Sequence, residues 1–229
     1  MNGRVPMIVL LFLRCFLFLF GGVALALLFR SSLTETDKWW SILCSVCNGV
    51  TLLVLYRLNR KDGMSFLRRI RYQKGSNHLP HVLTGIIVVL TVGMSGMLLA
   101  GFLVYHEYPY LPEDLLESIP IGFAVLNIAV LPLSTTLAED GLYLGFGVNS
   151  MKNRWIGWLL PAFAYAFQHC FIPLRFDFAY MIYRFLSFFP LTLLICRWYQ
   201  RNHNPVPIMA GHFVINLATA VQILTFSLP

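Results

Sequence analysis

Long apolar stretches alternate with short polar connectors along the whole chain. Seven of these stretches have about the length that a helix needs to cross the hydrocarbon core of a bilayer, roughly 20 residues. They lie at residues 6–29, 39–57, 81–105, 119–148, 155–173, 178–197 and 205–228. Backbone groups in lipid must be paired within their own segment, so each stretch is predicted to be a helix. The pattern predicts an all-α, polytopic membrane protein with about seven transmembrane helices in one bundle.

Composition supports a lipid environment. The 229 residues are 58% hydrophobic and 12% charged, and their mean hydropathy is +0.69. A soluble protein of this size does not hide so much apolar surface in one core. We therefore predict a single transmembrane domain over residues 1–229. Within it, residues 1–118 supply the N-terminal helices and a basic connector, and residues 119–229 carry nearly all of the intramembrane polar groups.

Charge is distributed unevenly between the connectors. The connector after the second stretch contains one acid, Asp62, and seven basic residues: Arg57, Arg60, Lys61, Arg68, Arg69, Arg71 and Lys74. Residues 106–118 contain four acids and no Lys or Arg. The positive-inside rule then predicts residues 57–80 and the N-terminus in the cytoplasm, with residues 106–118 outside. The formal net charge of +7 needs no nucleic acid partner, because anionic membrane lipids account for a basic cytoplasmic connector.

The first apolar stretch has a second interpretation, as a signal segment. Residues Ala24, Leu25 and Ala26 resemble a small-residue cleavage site. The apolar run is long, however, and Arg14 interrupts it. We therefore favour a retained helix, and the predicted topology downstream is the same in either case.

Polar residues within the last apolar stretches are the candidate functional groups. Glu139 and Asp140 are adjacent, and Tyr165 and His169 are four apart, as are His212 and Asn216. Polar groups in hydrocarbon are costly and usually face a bundle interior, where they serve a function. A carboxyl group there can act as a general base, and a neutral imidazole can bind water, accept a proton or ligate a metal. Each group also has a structural interpretation, as a helix cap, a packing residue or an interhelical hydrogen bond.

The order of these groups resembles a known family. The chain reads EDGLYL from Glu139, YAFQH ending at His169, and HFVIN from His212 to Asn216. Together these motifs resemble the CAAX protease and bacteriocin-processing (Abi) family of intramembrane proteases, whose pattern is EExxxR, FxxxH and HxxxN. The resemblance covers about 80 residues, and it implies that residues 119–229 form a catalytic core. Asp140 stands at the second Glu and Tyr165 at the Phe.

The resemblance implies a hydrolytic mechanism. In this family Glu139 and His169 would activate a water, which would attack a peptide carbonyl, and Asp140 would position Glu139. His212 and Asn216 would stabilise the oxyanion. An alternative version makes Glu139, His169 and His212 the ligands of a catalytic zinc. We favour the version without a metal or other cofactor, because it uses Asn216, and Asn is a poor zinc ligand.

One position departs from the family pattern. The motif Arg, which is expected to pair with the acids, would fall at Leu144. We hypothesise that Arg184, inside the sixth stretch, supplies the missing cation from another helix.

These observations predict an intramembrane endopeptidase that hydrolyses a membrane-associated or lipidated peptide. Within the family, the short chain and plain loops favour a bacterial type, and therefore a bacterial cytoplasmic membrane. Leu144 favours an alternative, a non-catalytic immunity or scaffold protein that binds peptides without cleaving them. A small transporter that uses the buried acids is a third interpretation, but no inverted repeat is evident in the sequence.

Overall fold

A computed structural model describes residues 6–75, 77–110 and 113–228, so Ser76 and residues 111–112 of the predicted connectors lie outside the described residues. Every regular element in the described ranges is helical. The α-helices are α1 (Met7–Leu11), α2 (Leu13–Phe29), α3 (Trp40–Lys61), α4 (Phe66–Arg69), α5 (Leu79–Tyr105), α6 (Ile121–Asp140), α7 (Arg154–Phe167), α8 (Phe178–Asn202) and α9 (Val206–Ser227). The predicted all-α class is confirmed.

Five helical segments are long and apolar enough to cross a membrane within the described part of the chain. They are Thr34–Lys61, Leu79–Tyr105, Ile121–Val148, Phe178–Asn202 and Val206–Ser227. The first and fifth predicted stretches contain shorter helices. α2 has 17 residues, and α7 has 14 before the chain tightens into a 3₁₀ turn at Gln168–Phe171. The bundle therefore has the predicted architecture, but two of its seven helices are shorter than predicted.

The connectors gather at two ends of the bundle. At one end, which we call the basic end, Asn149 donates a hydrogen bond to the Arg69 carbonyl at 2.9 Å, and Tyr199 donates to the Ile70 carbonyl at 3.0 Å. At the opposite end, the Trp40 indole donates to the Leu115 carbonyl at 3.0 Å. The predicted alternation of connectors between two sides is therefore present in the structure.

Glycine allows α5 and α9 to pack closely. A Cβ placed on Gly85 would lie 2.2 Å from the Pro207 carbonyl oxygen, and one on Gly211 would lie 2.7 Å from the Val89 Cβ. Gly96 similarly lies against the Ser187 carbonyl of α8. Gly211 thus lets α5 approach α9 closely. This packing holds the N-terminal half of α9, which carries His212, against the rest of the bundle.

A π-helix interrupts the third long segment, Ile121–Val148. α6 ends at Asp140, and residues Gly141–Val148 continue it with π-helical hydrogen bonding. All eight residues of this segment are buried. π-helical insertions are rare and are often found at functional sites. Here the change of helix type immediately follows the acidic pair.

The polarity of the bundle is that expected in lipid. Large apolar side chains such as Phe20, Leu27 and Leu28 are exposed on its outside. The fully buried interior includes Arg14, Asn48 and Asp140. Because buried polar groups are stable only when they are paired, their partners indicate where the site is.

Candidate active site

Glu139 and Asp140 end α6 with both carboxylates buried, at 2% and 0% exposure. The adjacent side chains have different partners. Oε1 of Glu139 accepts a hydrogen bond from Arg14 at 2.7 Å, whereas Oδ1 of Asp140 accepts one from the Tyr165 hydroxyl at 3.0 Å. The interpretation of the pair as a helix cap is therefore wrong, because Asp140, which precedes the next helical segment, makes no side-chain cap hydrogen bond. Glu139 instead bonds to Arg14 of α2, and Asp140 bonds to Tyr165 of α7.

Arg14 is the cation that balances Glu139. It is fully buried on α2, and it donates to Glu139, to the Gln168 side chain at 2.5 Å and to the Asn48 side chain at 2.7 Å. Each of its hydrogen-bonding nitrogens thus meets an oxygen, and one of these oxygens is charged. Burying a charge is tolerated when it is paired and hydrogen-bonded in this way. The N-terminal part of the chain therefore contributes more to the interior site than the sequence pattern indicated.

The hypothesis that Arg184 supplies the missing motif cation is wrong. Arg184 is buried on α8, and its Nε donates to the His169 carbonyl at 3.4 Å, but neither acid of the pair is among its ion-pair partners in the described residues. Leu144 is fully buried in the apolar core. Arg14 is the cation that pairs with Glu139, the role that we had assigned to Arg184. The available signal was an Arg within an apolar stretch, which usually indicates a functional or paired group.

His212 lies between the two acids. Its Nδ1 is 3.3 Å from Asp140 Oδ2 and 3.1 Å from the Tyr165 hydroxyl oxygen. If Tyr165 donates to Asp140, its oxygen can accept from Nδ1–H, so a neutral His212 would present the lone pair of Nε2. Nε2 is 3.6 Å from Glu139 Oε2. Asp140 and Tyr165 therefore fix the ring so that Nε2 faces the carboxylate of Glu139.

His169 and Asn216 are near this group but do not contact the acids. His169 lies in the 3₁₀ turn after α7, where Nδ1 is 3.0 Å from the Tyr165 carbonyl and the ring stacks on Phe188 at 3.6 Å. Asn216 donates to the carbonyl of His212, one turn earlier, at 2.9 Å. Direct contact between Glu139 and His169 is absent from the hydrogen bonds and ion pairs of the described residues. The early end of α7 explains this, because it leaves His169 beyond the helix that carries Tyr165.

A cavity of about 220 Å³ brings the candidate residues together. Its walls include Glu139, His169, His212 and Asn216, and the remainder is mostly apolar. Asp140 lies behind this wall, where it contacts Tyr165 and His212. Glu139 Oε2 is buried and has no hydrogen-bond partner within residues 6–75, 77–110 and 113–228. One oxygen of Glu139 is thus held by Arg14, and the other has no hydrogen bond in the described residues and lies 3.6 Å from His212 Nε2.

Metal binding has no preformed site in the described part of the chain. No group of three or more His, Cys, Asp or Glu side chains there has an arrangement that could hold a metal ion. The three proposed zinc ligands do not form such a group, because His169 is separated from the pair formed by Glu139 and His212. The preference for a mechanism without metal remains a prediction.

The fold and the enclosed polar cluster define the class of protein, an integral membrane protein with a buried site. Residues 121–218 match a family model described as Rce1-like, type II CAAX prenyl endopeptidase. This match confirms the family resemblance that the three motifs indicated, and it covers all of them. It also supports a protease-type enzyme in general. No curated protein and no solved structure matched the chain.

Proposed function

We propose that the protein is an intramembrane endopeptidase that hydrolyses a peptide bond in a membrane-associated or lipidated peptide. The family match of residues 121–218 supports the protease class and peptide substrates. The observation that carries the specific mechanism is the asymmetry of Glu139. Arg14 holds Oε1, whereas Oε2 has no hydrogen-bond partner in the described residues and lies 3.6 Å from His212 Nε2.

Glu139 acts as the general base in this proposal. Oε2 takes a proton from a water in the cavity, and the oxygen of that water forms a bond to the substrate carbonyl carbon. The proton then passes to the amide nitrogen as the C–N bond breaks. Because Arg14 fixes the carboxylate, the base is already oriented when the water binds, which lowers the entropic part of the barrier.

The histidines and Asn216 act on the other reacting atoms. His169 has its Nδ1 on a backbone carbonyl, so Nε2 is free to orient the water. His212, held at Nδ1 by Asp140 and Tyr165, acts in its protonated form, in which Nε2–H donates to the oxyanion together with the second N–H of Asn216. A preorganised donor of this kind contributes about 3–4 kcal/mol. Asp140 is a positioning residue for His212.

Substitution of Glu139 tests the proposal. The protein is reconstituted in liposomes with quenched fluorescent peptides, with and without a prenyl group. Glu139→Asp keeps the charge that Arg14 needs but moves the carboxylate, so we expect kcat to fall at least about 100-fold with the fold retained. Glu139→Gln should abolish turnover. The matched control is Glu107→Gln, at an exposed acid in a connector. Full activity in both Glu139 variants would refute the mechanism.

The same assay tests the role of metal. We expect activity to survive exhaustive chelation. Loss of activity that zinc alone restores would instead support the version in which Glu139, His169 and His212 bind zinc.

Peptide binding without cleavage is the second candidate function, and the observation that favours it is Leu144 in place of the family Arg. The Arg14–Glu139 pair weakens this argument, because the acid has a cation from another helix. A scaffold would bind the peptides without producing fragments, and Glu139→Asp would leave its affinity unchanged.

A further inference from the structure

The cavity extends along α9 well beyond the proposed catalytic residues. Its wall on this helix consists of Ile208, His212, Ile215, Asn216, Thr219 and Gln222. His212 and Gln222 are ten positions apart, so at 1.5 Å per residue the cavity follows α9 for about 15 Å beyond His212. α9 runs from the basic end to the opposite end, where Ser227 Oγ accepts a hydrogen bond from the Ile119 backbone N–H at 3.1 Å.

The walls of the cavity differ in exposure between the two ends of the bundle. Toward the basic end, three lining side chains are at most 3% exposed: Val89, Ile195 and Ile208. The opposite end carries the acidic connector, residues 106–118, and we call it the acidic end. There the lining residues Trp40 and Leu115 are half-buried, and Gln222 is exposed. The cavity therefore reaches the surface of the bundle at its acidic end.

Polar side chains continue along α9 from His212 toward that end. They are Asn216, Thr219 and Gln222, which we call the polar stripe. Asn216 donates to the His212 carbonyl at 2.9 Å, and Thr219 donates to the Ile215 carbonyl at 3.1 Å. A hydroxyl that donates can still accept, and an amide has a second N–H and an oxygen. Polar groups that face lipid are costly, so this stripe on an apolar helix indicates contact with water.

The size and chemistry of the cavity suit a chain of water molecules. Its volume of about 220 Å³ has room for several waters, since each occupies about 30 Å³ in the liquid. Water occupies cavities whose walls offer it polar partners, whereas purely apolar cavities stay dry. Hydrolysis consumes one water for each bond broken, and a site surrounded by lipid needs a supply of it.

We propose that the polar stripe conducts water from the acidic end of the bundle to Glu139. Its role in supplying the reactant rests on the proposed function, whereas the presence of water beside the stripe does not. Thr219 lies seven positions from His212, about 10 Å along the helix. Thr219 and Gln222 therefore act on access to the site and not on the reacting atoms.

Labelling with silver ions tests the route without any need for activity. Ag⁺ is small enough to follow water and reacts with thiolates, which form in contact with water. Vesicles are treated in chloride-free buffer, the remaining thiols are alkylated after denaturation, and peptide mass spectrometry distinguishes the cysteines. We expect Thr219→Cys to react at least about 10-fold faster than Ala218→Cys. Ala218 is the matched control, because it is adjacent on α9 and exposed but does not line the cavity.

The side from which Ag⁺ arrives tests the direction of the route. Glu107→Cys marks the acidic end and Lys74→Cys marks the basic end, since both positions are exposed. In right-side-out and in inverted vesicles, Thr219→Cys should react from the side that labels Glu107→Cys. Reaction no faster than that of Ala218→Cys, or reaction from the side of Lys74→Cys, would overturn the proposal and leave the proposed function standing.

Kinetics test the supply of water to the reaction. Thr219→Val combined with Gln222→Leu makes the outer part of the route apolar, so we expect kcat to fall about 10-fold with KM within about twofold of wild type. Thr225→Val is the matched control, because Thr225 donates to the Val221 carbonyl in the same way, at 2.9 Å, but does not line the cavity. This variant should keep the wild-type kcat, as should Thr219→Ser, which retains the hydroxyl.

A deeper reporter separates the two proposals. Ile215→Cys lies further along the cavity wall, and Thr219→Val with Gln222→Leu should slow its reaction with Ag⁺. This result would support the route even if the wild type cleaves no peptide, which would refute only the proposed function. An unchanged kcat and an unchanged rate at Ile215→Cys would overturn the route. Equal losses of kcat in Thr225→Val would indicate a purely structural role for these side chains and would also overturn it.

Discussion

Single residues in this bundle are understood best through their partners. The sequence motifs predicted Glu139, His169, His212 and Asn216 as site residues, and these four side chains line one cavity, as expected for polar groups in apolar helices that face inward. They did not predict Arg14, which is far from them in the chain. Its partner depends on which helices are neighbours, and periodicity within one helix contains no information about that. The Arg184 hypothesis failed for the same reason.

Removal of Arg14 should destabilise the protein strongly. Arg14→Met leaves the Glu139 carboxylate buried without its cation, and we expect the free energy of unfolding to fall by about 3–5 kcal/mol. The measurement is equilibrium unfolding in detergent micelles, followed by circular dichroism. The control is Arg57→Met at an exposed position on α3, which should change stability little.

A double variant checks the physical reason for this loss. If the cost comes from an unpaired charge, Glu139→Gln in the Arg14→Met background should restore part of the lost stability. Further destabilisation by the second substitution would contradict the ion-pair explanation.

Among the helices, α9 lies within one residue of its predicted bounds at each end, and α8 begins at its predicted first residue. α9 begins next to Pro205 and Pro207, and α8 begins after its N-cap residue Asp177, whose side chain accepts from the Tyr180 backbone N–H. The π-helix at Gly141–Val148 was not predicted, because its residues are as apolar as those of an α-helix. The early end of α7 was also missed, since residues 168–173 continue the apolar pattern.

The close packing of α5 against α9 should make the protein sensitive to a larger residue at Gly85. Gly85→Ala would place a methyl group against the backbone of Pro207, so the helices must separate. We expect a loss of about 1–3 kcal/mol in unfolding free energy, with reduced activity because α9 carries His212. Gly49→Ala is the matched control, since nothing lies within 4 Å of its Cβ position. The free energy of unfolding of the Gly49→Ala variant should rise, or should stay within about 1 kcal/mol of the wild-type value. Equal effects of the two variants would contradict the packing argument.

For the whole molecule, the sequence predicted the all-α class and the alternation of connectors, and four of the predicted site residues line one cavity. The site involves residues from α2, α3, α6, α7 and α9, together with the 3₁₀ turn. This assembly depends on tertiary packing that hydrophobic patterns do not specify. The direction in which the bundle crosses the membrane remains a prediction from charge.

Labelling of single introduced cysteines tests this orientation. All five native cysteines are buried, so they give little background. In right-side-out bacterial vesicles, a membrane-impermeant maleimide should label Glu107→Cys and should label Lys74→Cys only after permeabilisation. Both positions are exposed. The reverse pattern would show that the basic end faces outward.

The long separation between Arg14 and Glu139 has a consequence for biogenesis. They are 125 positions apart, so at ribosomal speeds of 5–20 residues per second Glu139 is synthesised about 6–25 s after Arg14. Asn48 follows Arg14 after only 34 positions, and it offers the guanidinium an uncharged acceptor in the meantime. A nascent chain halted before α6 would therefore carry an unneutralised positive charge in the bilayer, which makes such a fragment a good candidate for quality-control proteolysis.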